Sequence, residues 1–185
     1  MTRMIKHVIL EMEMMEMELK DVLLKRRSVR RFKEEKVSRE MINELMHAAM
    51  SGPSACNKRP WKFFVITNEE KLIELKNASR FSKMDAPLAI VVCGDLSRRL
   101  PKALASYWIQ DCSAATENIL LRVTDLGLGA VWCGLHPQKS AEDKVKEFLK
   151  LNDELIPLSL IWIGYPNEEP EARDQYEEEC IVYVD

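Results

Sequence analysis

The chain has 185 residues, 27 Lys and Arg against 30 Asp and Glu, and a formal net charge of −3. That length suits one domain whose core can hold without disulfide or metal, and the acidic balance argues against nucleic acid as a partner. No apolar stretch reaches the ~18 residues of a membrane span, and Cys56, Cys93, Cys112, Cys133 and Cys180 form no Cys-x-x-Cys pair, which suits a reducing cytosol rather than a zinc framework.

Residues 1–17 read as a Met-rich helical extension. Arg3 and Lys6 are followed by no signal-peptide core, so a cytoplasmic protein is expected. Methionine, leucine and glutamate all favour helix, which is expected over residues 10–24. It is either packed against another element or subunit, or a frayed lead-in to a first turn near Asp21. Residues 18–185 are expected to form a single domain. Ser38 can cap a helix from Arg39 to about Met50 with Ile42, Leu45, Met46 and Ala49 on one face, stopped by Gly52-Pro53.

Phe63–Thr67 is a strand by its aromatic and β-branched content, and Glu69 to about Asn77 is helical. Leu88–Cys93 is apolar throughout, as in a strand buried on both faces. Trp108, Cys112, Ala115, Ile119, Val123 and Leu126 recur at helical spacing within a long helix over 105–126. Ala130–Cys133 is a short strand, Ala141–Leu149 a helix, and Leu158–Ile163 another apolar strand. The tail from Asn167 to Glu179 is acidic and reads as an extended arm. Cys180–Val184 then has strand character, a candidate to pair with a partner.

The chemistry concentrates in three segments. Arg26-Arg27-Ser28-Val29-Arg30-Arg31-Phe32 crowds guanidinium groups into one short run. Such a fork meets phosphate bidentately and stays charged at any working pH. In an acidic chain this local excess points to a small phosphorylated ligand. The bland alternative is a solvated basic turn favoured by the helix dipole. Pro53-Ser54-Ala55-Cys56-Asn57, with Pro60-Trp61, lies past a helix end and is rich in turn residues. Gly129-Ala130-Val131-Trp132-Cys133-Gly134 is the third. Gly127-x-Gly129 follows a helix and lacks a third glycine, so it is a helix stop rather than a dinucleotide-binding turn. No Gly-x-Ser-x-Gly element or triad is present, and His7, His47 and His136 lack metal spacing.

In this order, over residues 18–185, the three segments resemble the FMN-dependent nitroreductase family. The resemblance implies an α+β fold: a mixed sheet flanked by helices, with an extended C-terminal arm. It implies FMN as cofactor, NADH or NADPH as transient electron donor, and a nitroaromatic, quinone or similar small acceptor. It also implies a homodimer with flavin sites at the subunit interface. By the same resemblance Arg26, Ser28 and Arg30 hold the FMN phosphate and Arg27 shares the contact. Pro53, Ser54, Ala55 and Asn57 meet the flavin across the interface. Trp132, Cys133 and Gly134 set backbone amides beside the flavin N5 edge, and Arg173 adds a phosphate contact from the tail. No side chain is expected to act as a nucleophile or to bind metal. Two positions depart from the family pattern: Arg59 stands where Gln usually precedes Pro-Trp, and Gln175 where a second basic residue is common. Cys133, with no resolving cysteine nearby in sequence, reads as structural. The alternative from another class is an FMN-binding sensor or store without turnover.

Overall fold

A run as apolar as Leu88–Cys93 is sheltered only if both faces of its sheet are covered. The computed structural model, which describes residues 17–76 and 82–184, places it in the interior of a four-stranded sheet. The strands are β1 (Trp61–Ile66), β2 (Leu88–Asp95), β3 (Gly129–Gly134) and β4 (Leu155–Gly164), in the order β1-β2-β4-β3. Trp61 faces Gly94, Val91 faces Leu160 and Ala130 faces Ile163, every ladder being antiparallel. The expected α+β fold, a sheet flanked by helices, is borne out; its ladders are antiparallel, and among the described residues the one parallel element is an isolated bridge from Ser28 to Ala130. The link from β1 to β2 leaves and re-enters at the same end, Ile66 opposite Ala89, which fixes their antiparallel sense.

Helices α1 (Leu19–Lys25), α2 (Arg39–Met50), α3 (Glu69–Leu75), α4 (Tyr107–Asp125) and α5 (Lys139–Leu149) surround the sheet. Alternation along the strands divides the core in two. Ile90, Val92, Ile161 and Ile163 pack with Ile42, Leu45 and Ala49 of α2 and Cys112, Ala115 and Ile119 of α4. Ala89, Val91, Leu160 and Trp162 pack on the other face with Leu72 and Leu75 of α3 and Ala141 and Val145 of α5. Ser38 caps α2 as expected, its Oγ accepting the Met41 N–H at 3.2 Å. Trp61 is core.

Several boundaries differ from the sequence reading, the larger differences lying at the chain's two ends and in β4. The first described helix starts at Leu19, and residues 10–16 of the expected one lie outside the described residues. Strand β4 begins at Leu155 rather than Leu158, because a register shift between Val92 and Cys93 accommodates Pro157 within the ladder. The tail segment Cys180–Val184 joins no strand among the described residues. Cys180 closes a short 3₁₀ turn, and Val182 and Val184 are 84% and 92% exposed.

Helix α4 packs closely on β2 at Gly94. A Cβ on Gly94 would lie 2.2 Å from Cε3 of Trp108. Gly94→Ala is therefore expected to destabilise the protein by about 1–3 kcal/mol through overpacking. Urea unfolding checks this: the midpoint falls while the slope stays unchanged.

Candidate functional site

Helix α1 ends at Arg26, whose N–H donates to the Val22 carbonyl at 2.9 Å. The chain then runs extended along β3. Ser28 bridges Ala130, and the Val29 N–H donates to the Ala130 carbonyl at 2.8 Å. Gly129 permits this approach, since a Cβ there would meet Val29 at 2.8 Å. Arg26 Nε lies 3.4 Å from Glu117 Oε1 on α4, and Arg27 donates to the Glu171 carbonyl. The backbone N–H groups of Arg30 and Arg31 both donate to Glu168 Oε1, at 2.6 and 3.2 Å. Arg31 Nε lies 3.7 Å from the other Glu168 oxygen. Those contacts, the Arg30 N–H first among them, hold the Glu168 carboxyl below its ordinary range. This backbone therefore already favours a negatively charged oxygen. The tail returns beside it, with Asn167 N–H donating to Arg31 and Arg173 N–H to Leu24, at 2.9 and 3.1 Å.

On β3 the side chains of Trp132 and Cys133 face opposite sides of the sheet. Trp132 packs against the α2/α4 core and Cys133 belongs to the α3/α5 core. They share a site through backbone alone. Gly134 lies on the Trp132 side, is exposed, and a Cβ there would meet nothing within 4 Å. Beyond it, His136 Nδ1 sits 2.7 Å from the buried Glu142 carboxylate, and its ring meets Trp108 edge-on at 5.1 Å.

The loop at 53–57 is elsewhere. The Ala55 N–H donates to Oδ1 of buried Asp111 on α4 at 2.9 Å, and Ser54 Oγ accepts the Arg59 N–H at 2.9 Å. Cys56, Asn57 and Arg59 hold left-handed backbone at φ 51°, 52° and 48°. Non-glycine residues persist there only where surrounding contacts over-determine them. The loop leads into β1, one edge of the sheet, whereas the arginine run lies along β3, the other edge. One chain brings Arg26, Arg27, Ser28 and Arg30 together with Trp132, Cys133, Gly134 and Arg173. It does not bring Pro53, Ser54, Ala55 and Asn57 to them.

A sequence model of the nitroreductase family matches residues 23–82 and 74–165. The chain belongs to the nitroreductase family. A protein of Methanothermobacter thermautotrophicus with a provisional NADH dehydrogenase/NAD(P)H nitroreductase name is 38% identical over 168 residues, covering 90% of this chain and 86% of its own. Among solved structures, an FMN-dependent nitroreductase from Clostridium difficile superposes with a TM-score of 0.82 at 30% identity, over 90% of this chain and 99% of that one. A nitroreductase-like protein from Desulfovibrio desulfuricans, solved with FMN, superposes with a TM-score of 0.77 at 25% identity, over 92% of this chain and 98% of that one.

Sequence reading missed three carboxylates of this chain: Asp111, Glu117 and Glu168. Only Asp111 carried a signal, an acid between Trp108 and Ala115 on the apolar stripe. Burial pushes the Cys93 thiol up to about 12, and the Cys133 thiol up to about 11 against the opposing charge of Arg30. Burial also raises Cys112, and the Asp111 carboxylate adds to it. Cys56 and Cys180 are exposed. At pH 8, Ellman's reagent is expected to label Cys56 and Cys180 in the native protein and the others only on unfolding, as mass spectrometry of the adducts would report. The buried thiols ionise near 9.0 once unfolded and higher when folded, so the unfolded state binds fewer protons above that pH. Their contribution to stability is complete below about pH 9 and is lost as pH rises through the folded values. Denaturation midpoints measured from pH 8 to 11 would follow that fall.

Proposed function

We propose that this chain is a homodimeric, FMN-dependent oxidoreductase of the cytoplasm, its residues 18–185 forming the flavin-binding domain. One observation carries the reading. The arginine run with β3 and the Ser54–Asn57 loop are each fixed by their own hydrogen bonds, yet occupy opposite edges of one sheet. A second copy placed edge to edge would supply the missing half to each site.

The residues fit the cofactor. Backbone N–H groups that already hold a carboxylate oxygen match a phosphate oxygen. Among the described residues, the Arg30 guanidinium makes no ion pair and remains available to it. The open face over Gly134 leaves room for a flat ring system. FMN, when bound, accepts a hydride from NADH or NADPH and passes it to a nitroaromatic, quinone or similar acceptor. Arg26, Arg27, Ser28, Arg30 and Arg173 anchor and orient the phosphate end. The Cys133 and Gly134 amides meet the reactive ring edge. Pro53, Ser54, Ala55 and Asn57 of the other copy close over the ring and limit water. The cysteine thiol of Cys133 takes no part, since burial keeps it protonated at working pH. The exposed Ile181–Val184 segment supplies the tail's contact with the second copy.

Arg30→Ala is expected to weaken FMN binding by about 1.5–3 kcal/mol, the range for a charge-assisted bond. Flavin fluorescence titration measures this, and an unchanged dissociation constant would remove the phosphate assignment. The function itself is tested by the visible spectrum of the purified protein under anaerobic addition of NADPH or NADH. Bleaching that a quinone or nitroaromatic reverses is expected. A bound flavin that neither nucleotide bleaches would make the chain a flavin sensor or store. A stable flavin-loaded monomer by light scattering would end the dimer reading.

A further inference from the structure

The arginine run does not exhaust the chain's cations. Lys58, Arg59, Arg98, Arg99 and Lys102 are all exposed, and among the described residues none has a carboxylate oxygen within ion-pair distance. They flank one end of the sheet. The Asp95 N–H donates to the Pro60 carbonyl at 2.9 Å, joining the segment after Lys58 and Arg59 to the segment before Arg98 and Arg99. Of the acids at this end, Asp95 is engaged by its own turn, while Glu154 is tied in through its backbone and keeps an exposed carboxylate. Asp95 Oδ1 accepts from Ser97 N–H and Oγ, at 3.1 and 2.6 Å, and Glu154 takes the Leu96 N–H through its backbone carbonyl at 2.8 Å.

Two further observations set this surface apart from a solvated face. Arg59 and Lys102 both hold left-handed backbone, at φ 48° and 53°. An over-determined conformation at two cations fixes where their side chains start. Tyr107 and Leu104 are large apolar groups left 39% and 46% exposed beside them. Tyr107 lies one helical turn before Asp111, on the α4 face to which Ala55 is tied. An aromatic ring, guanidinium forks and a fixed loop thus border a common surface. Like charges gathered without compensation repel one another, and an anion relieves that.

We propose that this surface binds the adenylate half of the nicotinamide donor and selects the 2′-phosphate of NADPH over the 2′-hydroxyl of NADH. Arg98, Arg99 and Lys102 hold the 2′-phosphate, Tyr107 offers its ring to the adenine, and Lys58 and Arg59 face the pyrophosphate. The assignment rests on the reading of the Ser54–Asn57 loop as a wall of the flavin site, because Arg59 follows that loop directly and is bonded to Ser54. Arg59 thereby acquires a role where the family pattern has an uncharged residue.

The test is calorimetric titration of the full-length, FMN-loaded protein with adenosine 2′,5′-bisphosphate and, separately, with 5′-AMP. The bisphosphate is expected to bind about tenfold tighter or more, the effect of one net charge-assisted contact. Arg98→Ala with Arg99→Ala should bring the two affinities within about twofold of each other. The doubly substituted Lys variant, which keeps the charge, should retain part of the difference. The kcat/KM ratio of NADPH to NADH falls in step. Equal affinity of the wild-type protein for both nucleotides overturns the proposal, as does a difference that survives the alanine pair. Retention of single-stranded RNA without any preference between the nucleotides also overturns it, assigning the surface to another polyanion. A chain that binds no FMN yet separates the two nucleotides keeps this phosphate site and loses the flavoenzyme reading. A chain that binds FMN without separating them does the reverse.

Discussion

Two apolar strands in the interior of the sheet, β2 and β4, set the terms for the rest of the molecule. Each presents large side chains to both faces, with Ile90, Val91, Leu160, Ile161, Trp162 and Ile163 all fully buried. Two separate helical layers must cover them, and only the outer strands β1 and β3 are left with an unpaired side. Chemistry cannot enter this interior without breaking the packing, so it is displaced to the edges. The arginine run takes one edge through the Ser28 bridge and the strained loop takes the other. A site that needs both groups must then use two copies of the sheet. The proposed dimer follows from the burial of the central pair more than from any property of the interface itself.

Electrostatics at the β3 edge serve positioning rather than stability. The Arg26–Glu117 and Arg31–Glu168 pairs are partly exposed, and such pairs contribute little to folding. Their effect is to fix directions. Arg26 is drawn towards α4, Arg27 is taken up by the tail carbonyl of Glu171, and among the described residues the Arg30 guanidinium makes no ion pair. Glu168 holds the adjacent backbone in an anion-accepting form. The phosphate proposed for this edge would exchange with the Glu168 carboxylate on donors already aligned in folding, which lowers the ordering entropy of binding.

Much of this was legible in the amino-acid pattern because the signals are local. The Ser38 cap, the α2 stripe and the Trp108–Val123 stripe depend on residues within a few turns of one another. The family resemblance lay in ordered short segments, which survive in sequence whatever surrounds them. What was hidden depends on distant partners. The apolar run from Leu158 marks only part of β4, and only the register opposite Cys93 shows Pro157 and the residues before it within the ladder. The separation of Trp132 from Cys133 across the sheet follows from strand alternation, yet it matters only once both faces are known to be covered. Glu168 lies in a tail whose acids all look alike, and its place is set by Arg30 and Arg31, far away in sequence. The run Ile181–Val184 has strand composition yet joins no strand among the described residues.

Where a bound cofactor carries the electrons, the chain contributes by where it puts backbone donors and how tightly it keeps them there. The structure is most constrained at those points. Gly129 admits the Val29 backbone, Gly134 leaves its face open, and Asp111 locks a loop through positive-φ residues that would otherwise relax. Charge is distributed on the same logic. Cations near β3 are partly engaged and directed, while among the described residues those beside the loop have no carboxylate within ion-pair distance. A phosphate held for the life of the protein calls for fixed geometry. A phosphate that must arrive and leave with each turnover calls for attraction without a tight grip, and exposed, mutually repelling cations meet that need.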